Sequence, residues 1–251
     1  MKVSTSAFSK VALGLSAVST LGLAFLAGAP SASAFTLNGG SVTGITSDDV
    51  GKSFEIEFDG NVATQNVDGL KSKAIFKLLS FDGDSAEWDI MLSNLSDGGI
   101  NSRTSVLGFN LDGVDLPRRN FGTSTGLFSN VVKDGSLPNQ FGALDVCFTN
   151  GNNCQGGRNG GVFAGSSGNF TATLNFASAV SSFGLSNFGV RYQSIDGNGF
   201  NGDSGTGRGM TVTPPTSDKD VPEPMTIVGS AMALGFGSAL KRRGKKQQKA
   251  A

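Results

Sequence analysis

The chain has 251 residues with 20 basic and 20 acidic side chains, so its formal charge is zero, and it contains no histidine. The charges are segregated: residues 1–34 hold Lys2 and Lys10 and no acid, the last 11 residues hold six lysines and arginines and no acid, and residues 35–220 keep 12 basic against 19 acidic groups. An acidic middle excludes a nucleic-acid reader, which needs a clustered basic surface on its folded domain, and the missing imidazole excludes His-based acid/base catalysis, His metal ligands and His-dependent triads.

Residues 1–34 place the two lysines before an uncharged apolar stretch, 11–29, that closes on Pro30, Ser31, Ala32, Ser33 and Ala34. A positive start, an apolar middle and a small-residue A-x-A site describe a secretory signal peptide. Cleavage after Ala34 is expected, with Phe35 as the mature N-terminus.

Residues 35–195 read as one all-β domain, an antiparallel sandwich or jelly roll. Short apolar or alternating runs recur at residues 53–58, 74–81, 86–95, 105–111, 127–132, 143–148, 169–176 and 183–192, separated by Gly, Asn, Asp and Ser. In the first run Phe54, Ile56 and Phe58 share one face and Glu55 and Glu57 the other, the period of two that marks a half-buried strand. Eight or nine such strands without a helical stripe favour a sandwich; only residues 177–182 leave room for a helix. Thirty glycines lie in 35–220, many beside Asn or Asp, where tight hairpins want positive φ. Sixteen phenylalanines against one Trp and one Tyr supply core filling rather than a platform for stacking sugars.

The carboxylates are the remaining candidates for chemistry. Asp48 with Asp49, Asp82, Asp84, Glu87 and Asp89, Asp112 with Asp115, and Asp196 with Asp203 could offer oxygen ligands to Ca²⁺, although none follows an EF-hand pattern. Turn residues and a solvated face are the alternative. Two acids among Glu55, Glu57, Glu87 and Asp89 could form a glycoside-cleaving pair, but strict alternation points Trp88, the sole indole, away from Glu87 and Asp89 and into the core. Neither a cofactor nor a metal is called for. Asn94-Leu95-Ser96 and Asn169-Phe170-Thr171 are acceptor sequons.

Cys147 and Cys154 are the only cysteines. On the extracytoplasmic side of a membrane a disulfide is the expected state, with Asn150-Gly151 turning the chain between them. A metal site would need further ligands, and a catalytic thiol its imidazole.

From residue 196 the composition becomes polar and glycine-rich, with little to bury, so residues 196–220 are expected to be a flexible linker. Within it Gly202-Asp203-Ser204-Gly205 matches the surroundings of a protease serine without any base for Ser204. Gly197, Gly199 and Gly202 match a dinucleotide fingerprint without a following helix.

Residues 221–251 begin with Val221, Pro222, Glu223 and Pro224, continue through the uncharged run 225–240, and end on Lys241, Arg242, Arg243, Lys245, Lys246 and Lys249. Sixteen residues at ~1.5 Å each reach roughly 24 Å, a marginal transmembrane helix for a ~30 Å hydrocarbon core, and the basic end marks the cytoplasmic side. This arrangement resembles the PEP-CTERM sorting signal. The resemblance implies an exosortase as partner, transient membrane anchoring, and removal of the segment.

A second resemblance rests on FTLNGG from Phe35, GFNLD from Gly108, the segment from Phe128 to Gly142, DVCFTNGNNCQGG from Asp145 and NFGVRYQSI from Asn187. Together these look like the cyanobacterial cistern family of PEP-CTERM proteins. That implies an exported protein, first held at the inner membrane and then released to the cell surface or extracellular matrix, and transfers no catalytic residue. The leading expectation is a non-enzymatic exported protein; the alternative is a module that binds or cleaves exopolysaccharide.

Overall fold

A computed structural model describes residues 35–212. The signal peptide with Ala32 and Ala34, the Val221–Pro224 motif, the span and the basic tail lie outside the described residues, as does linker segment 213–220. No helix of the described residues is long and apolar enough to cross a membrane.

The described chain is all-β apart from one 3₁₀ turn, Ser47–Asp49. Its strands are β1 (Thr36–Asn38), β2 (Ser41–Ile45), β3 (Ser53–Phe58), β4 (Asn61–Val62), β5 (Gln65–Asn66), β6 (Ser72–Phe81), β7 (Ser85–Asn94) and β8 (Asn101–Asp112), followed by β9 (Gly122–Gly126), β10 (Asn130–Leu137), β11 (Gly142–Thr149), β12 (Val162–Phe163), β13 (Ser167–Asn175), β14 (Phe183–Gly197) and β15 (Phe200–Val212). All pairings are antiparallel, and the main path runs β10-β11-β8-β14-β15-β3-β6-β7-β13-β9. Its two ends, β9 and β10, are consecutive in the chain, so the sheet bends round until it is nearly a closed barrel.

The predicted runs become strands because alternation puts their large side chains on one face. In β3 Phe54, Ile56 and Phe58 are buried. In β7 Ala86, Trp88, Ile90 and Leu92 are buried between the less buried Glu87, Asp89 and Met91. The rings meet in the middle: Phe54 stacks on Phe76 at 5.0 Å, and Phe188 reaches both of them and Phe109. Edge-to-face and offset contacts of this kind add to area burial.

Two expectations of the sequence are corrected. The run 127–132 is no single strand: β10 starts at Asn130, and Phe128 turns inward as a fully buried plug 5.1 Å from Phe170. Residues 177–182 form no helix.

The larger correction concerns the linker. Residues 196–212 belong to the domain, as the end of β14 and all of β15. Strand β15 pairs with β14 from Gly197↔Phe200 to Gly189↔Arg208, then changes partner and pairs with β3 from Gly209↔Phe58 to Val212↔Glu55. It is the corner where the sheet folds over. Gly205, Gly207 and Gly209 alternate along it and are buried, and a Cβ at Gly207 would collide with the Asp59 carbonyl and crowd Tyr192 and Val190. Between Gly205 and Gly209 the strand has no apolar side chain, and its neighbours' side chains pack on its bare backbone. Tyr192, fully buried, passes along it and donates its hydroxyl to Asp59 O at 3.0 Å; burial pushes the phenol far above its ordinary pKa.

Gly207→Ala should therefore destabilise the domain by about 1–3 kcal/mol through overpacking, whereas Ser204→Ala three residues earlier should stay within about 0.5 kcal/mol. Chemical denaturation of both variants checks this; equal midpoints would refute the corner assignment.

Candidate functional site

Two short hairpins face each other above β15. The first is β4–β5, held to the sheet by Thr206↔Asn61. Its turn uses Ala63 and Thr64 at φ 48° and 70°, the left-handed geometry of a two-residue hairpin without the Asn-Gly that normally supplies it. The second is the β10–β11 tip, where Asn139 and Gln140 are also left-handed, at φ 55° and 62°.

Phe141 anchors the second tip. Its ring covers Gly189 on the outer face of β14, where a Cβ would clash with it, and it joins Val106, Leu137, Leu144, Cys147 and Cys154 in a small apolar cluster separate from the main core. Arg208, from the outward side of β15, lies over that ring with its guanidinium carbon 4.4 Å from the centroid, a cation–π contact. Its Nη1 donates to Asn187 Oδ1 at 3.3 Å and its Nη2 to Phe141 O at 3.1 Å. Its backbone N–H donates to Asp59 Oδ1 at 2.6 Å.

Between the tips is a cleft of about 200 Å³, lined by these groups with Thr64, Asn66 and Thr206. Asn61 Nδ2 donates to Asn66 Oδ1 at 3.3 Å, and Asn139 Nδ2 to Ser204 O at 3.4 Å. Asn61 Oδ1 is buried without a hydrogen-bond partner, a costly state for a polar atom. The cleft can bind through hydrogen bonds from both charged and neutral groups.

A second groove, of about 330 Å³, lies near Asp115, Arg118, Lys133 and Asp145. There the polar groups serve the fold. Lys133 Nζ donates to Leu116 O at 2.6 Å and Pro117 O at 3.3 Å, bridging the seam between β10 and the segment that leads into β9. Asp145 Oδ2 accepts from Leu111 N at 2.8 Å.

The residues singled out from sequence fall elsewhere. Asp82 Oδ1 accepts from Asp84 N, Ser85 N and Ser85 Oγ in the β6–β7 turn. Asp112 Oδ1 accepts from Ser186 Oγ, Asp196 Oδ1 from Gly202 N, and Asp203 Oδ2 from Asn201 N. These are turn and ladder contacts, and among the described residues no three acidic or cysteine side chains gather around one point. Glu55 pairs with Lys73 at 3.2 Å, and Asp89 stands opposite Lys77 in the ladder. Trp88 is buried among Phe54, Phe76 and Phe183. Asn94 is buried too and donates to Ser102 O and Val162 O, which leaves Asn169, exposed on β13, as the accessible sequon. Gly202–Gly205 lies on β15, and the glycines at 197 and 199 form the β14–β15 hairpin.

Cys147 and Cys154 are at disulfide distance, Cα atoms 6.0 Å apart. The bridge lies in the cluster beneath Phe141, and the segment that follows Cys154 folds over β8. There Arg103 Nη2 donates to Gly157 O at 2.7 Å and Gln193 Oε1 at 3.0 Å, and burial holds the guanidinium below its ordinary pKa.

Sequence reasoning did not single out the cleft. The tip residues from Leu137 to Gly142 were noted only as part of a family likeness, and Arg208 sat in the presumed linker. The readable signal was a pair of turns without glycine at their central positions. No family model, curated protein or solved structure matches the chain.

Two predictions follow from these contacts. Closing an eight-residue loop contributes roughly 2.5 kcal/mol in the chain-entropy model, so Cys147→Ser with Cys154→Ser should lower Tm by about 5–10 °C and leave the far-UV circular dichroism intact; an unchanged Tm would refute the staple. Asp49 is buried, which alone would raise its pKa, but bonds from Lys52 Nζ at 2.8 Å and from Thr46 N and Oγ1 hold it below the ordinary carboxylate value. A depressed carboxylate stabilises the fold above its unfolded pKa of about 4 and loses that contribution as pH falls through the folded value. Asp49→Asn should cost about 1–3 kcal/mol at neutral pH and progressively less below about pH 4 in a Tm-against-pH series; parallel curves would refute it.

Proposed function

We propose that the chain is an exported, non-catalytic protein of the cell surface or extracellular polymer matrix. The signal peptide ending at Ala34 delivers it. The Val221–Pro224 motif, the span at 225–240 and the basic tail then hold it in the inner membrane until an exosortase removes them. In this reading residues 35–212 are a sandwich of jelly-roll type, and the two cysteines are oxidised as an extracytoplasmic compartment allows.

The placement of Trp88 carries the choice between a structural or binding role and polymer cleavage. A glycoside hydrolase needs two free carboxylates around its substrate, and a polymer-cleaving sandwich usually sets a sugar-stacking aromatic ring beside those acids. Trp88 is sealed in the core, while Glu87 and Asp89 occupy the opposite face of β7 beside Lys77, Ile75 and Met91. The acids and the indole are separated by the thickness of the sheet, which favours the non-catalytic reading.

Mass spectrometry of the exported form should find a chain that starts at Phe35 and ends near Pro224, and incubation with the host's exopolysaccharide should release no reducing ends. A mature protein that retains Lys241 and Arg242 would overturn exosortase processing, and release of reducing ends that is lost in a Glu87→Gln, Asp89→Asn variant would overturn the non-catalytic role.

A further inference from the structure

We propose that the cleft between the β4–β5 and β10–β11 tips binds a neutral saccharide. This gives the exported domain a ligand and relies on the reading above only for where a polymer would be met; binding itself is a property of the folded chain.

The charges select the ligand class. Among the described residues Asp59 and Arg208 are the only charged side chains lining the cleft, and they have opposite signs. An anion would meet the carboxylate and a cation the guanidinium, so a neutral molecule is favoured. Both groups keep unused capacity. Asp59 Oδ1 is taken by the Arg208 amide, which leaves its second oxygen to accept. The guanidinium spends one N–H on Asn187 and one on Phe141 O out of five.

Neutral groups extend the pattern. Among the described residues neither the Thr64 hydroxyl nor the Gln140 amide has a protein hydrogen-bond partner, and both side chains are exposed. Such a mixture of waiting donors and acceptors suits hydroxyl groups, each of which does both. Ligands rich in adjacent hydroxyls are saccharides.

Size and shape agree. About 200 Å³ is below the ~300–1,000 Å³ of drug-sized pockets, which limits the cleft to about one sugar ring. One face of Phe141 is covered by Arg208 and the other by the sheet, so recognition depends on hydrogen bonds and not on stacking.

The backbone also points to the cleft. Four non-glycine residues, two on each tip, adopt left-handed conformations that glycine would adopt freely, and one is the β-branched Thr64, for which such a φ is a genuine outlier. Three of the four line the cleft. Strain kept in this way on facing loops is a feature of ligand clamps.

The purified full-length chain, applied to an array of neutral glucans, mannans, galactans and xylans with oligogalacturonates as the charged arm, should bind at least one neutral glycan saturably. Asn66→Ala and Gln140→Ala should each weaken that binding about tenfold; the exposed Gln140 should be replaceable with Tm unchanged, and Asn66→Ala, which removes the acceptor of Asn61 Nδ2, should lower Tm by no more than a few degrees. Thr64→Gly should melt higher yet bind more weakly. Absence of any neutral binding, binding confined to oligogalacturonates, or full-strength binding by the Asn66→Ala, Gln140→Ala double variant would overturn the proposal. None of these outcomes depends on how the termini are processed.

Discussion

Close contact between aromatic rings and the bare backbone of β15 governs the rest of the structure. Phe58 and Phe188 approach Gly209 to distances that no Cβ would allow, Tyr192 crowds Gly207, and the Tyr192 hydroxyl ties the same corner to Asp59. A strand with side chains on both faces would keep the β14 half and the β3 half of the sheet apart. With one face bare, β15 serves both halves and the sheet curls into a near-barrel around the phenylalanine core. The outward residues of β15, Thr206 and Arg208 among them, are delivered to the floor of the cleft by the same alternation that buries the glycines.

Closure is incomplete at the opposite side, and the seam is managed by side chains. Strands β9 and β10 are edges, and unpaired edges invite addition of another strand. Here β9 is five residues long, and β10 is interrupted where Asp134 takes φ 52° between Lys133↔Val146 and Gly135↔Leu144. Phe128 fills the gap from within. Lys133 reaches across to the carbonyls of Leu116 and Pro117, and the Asn150 side chain binds the turn at Leu127 and Ser129. A short edge, and an edge whose backbone turns left-handed at Asp134, leave little continuous backbone for a second chain to pair with.

Strand β8 is covered on both sides, which explains why nearly all its residues are buried. The core lies inside it; outside lie Leu137, Phe141 and Leu144 from the end of the β10–β11 hairpin and the loop that follows Cys154. This outer layer is thin, and its stability comes from one small apolar cluster, one disulfide-distance cysteine pair and the hydrogen bonds of Arg103. Because Phe141 belongs to that cluster and also supports Arg208, the cysteine pair and the cleft share a foundation.

Much of the strand content was legible in the sequence, because alternation of Phe, Ile and Leu with polar residues is a local property. Runs such as 53–58 and 143–148 became strands within a residue at each end, and the burial of Trp88 followed from its parity with Ala86 and Ile90. The role of the turn carboxylates was legible too, since Asp82 and Asp203 bond to backbone groups no more than three residues away. Composition misled where the partner was distant: β15 has few apolar side chains of its own, and only the three-dimensional arrangement reveals that Phe188 and Tyr192 fill the space its glycines leave. The cleft was hidden for the same reason. Its walls come from residues 61–66, 139–141 and 206–208, which meet because β15 turns the corner, and no local pattern records how far apart in the chain two facing hairpins can be.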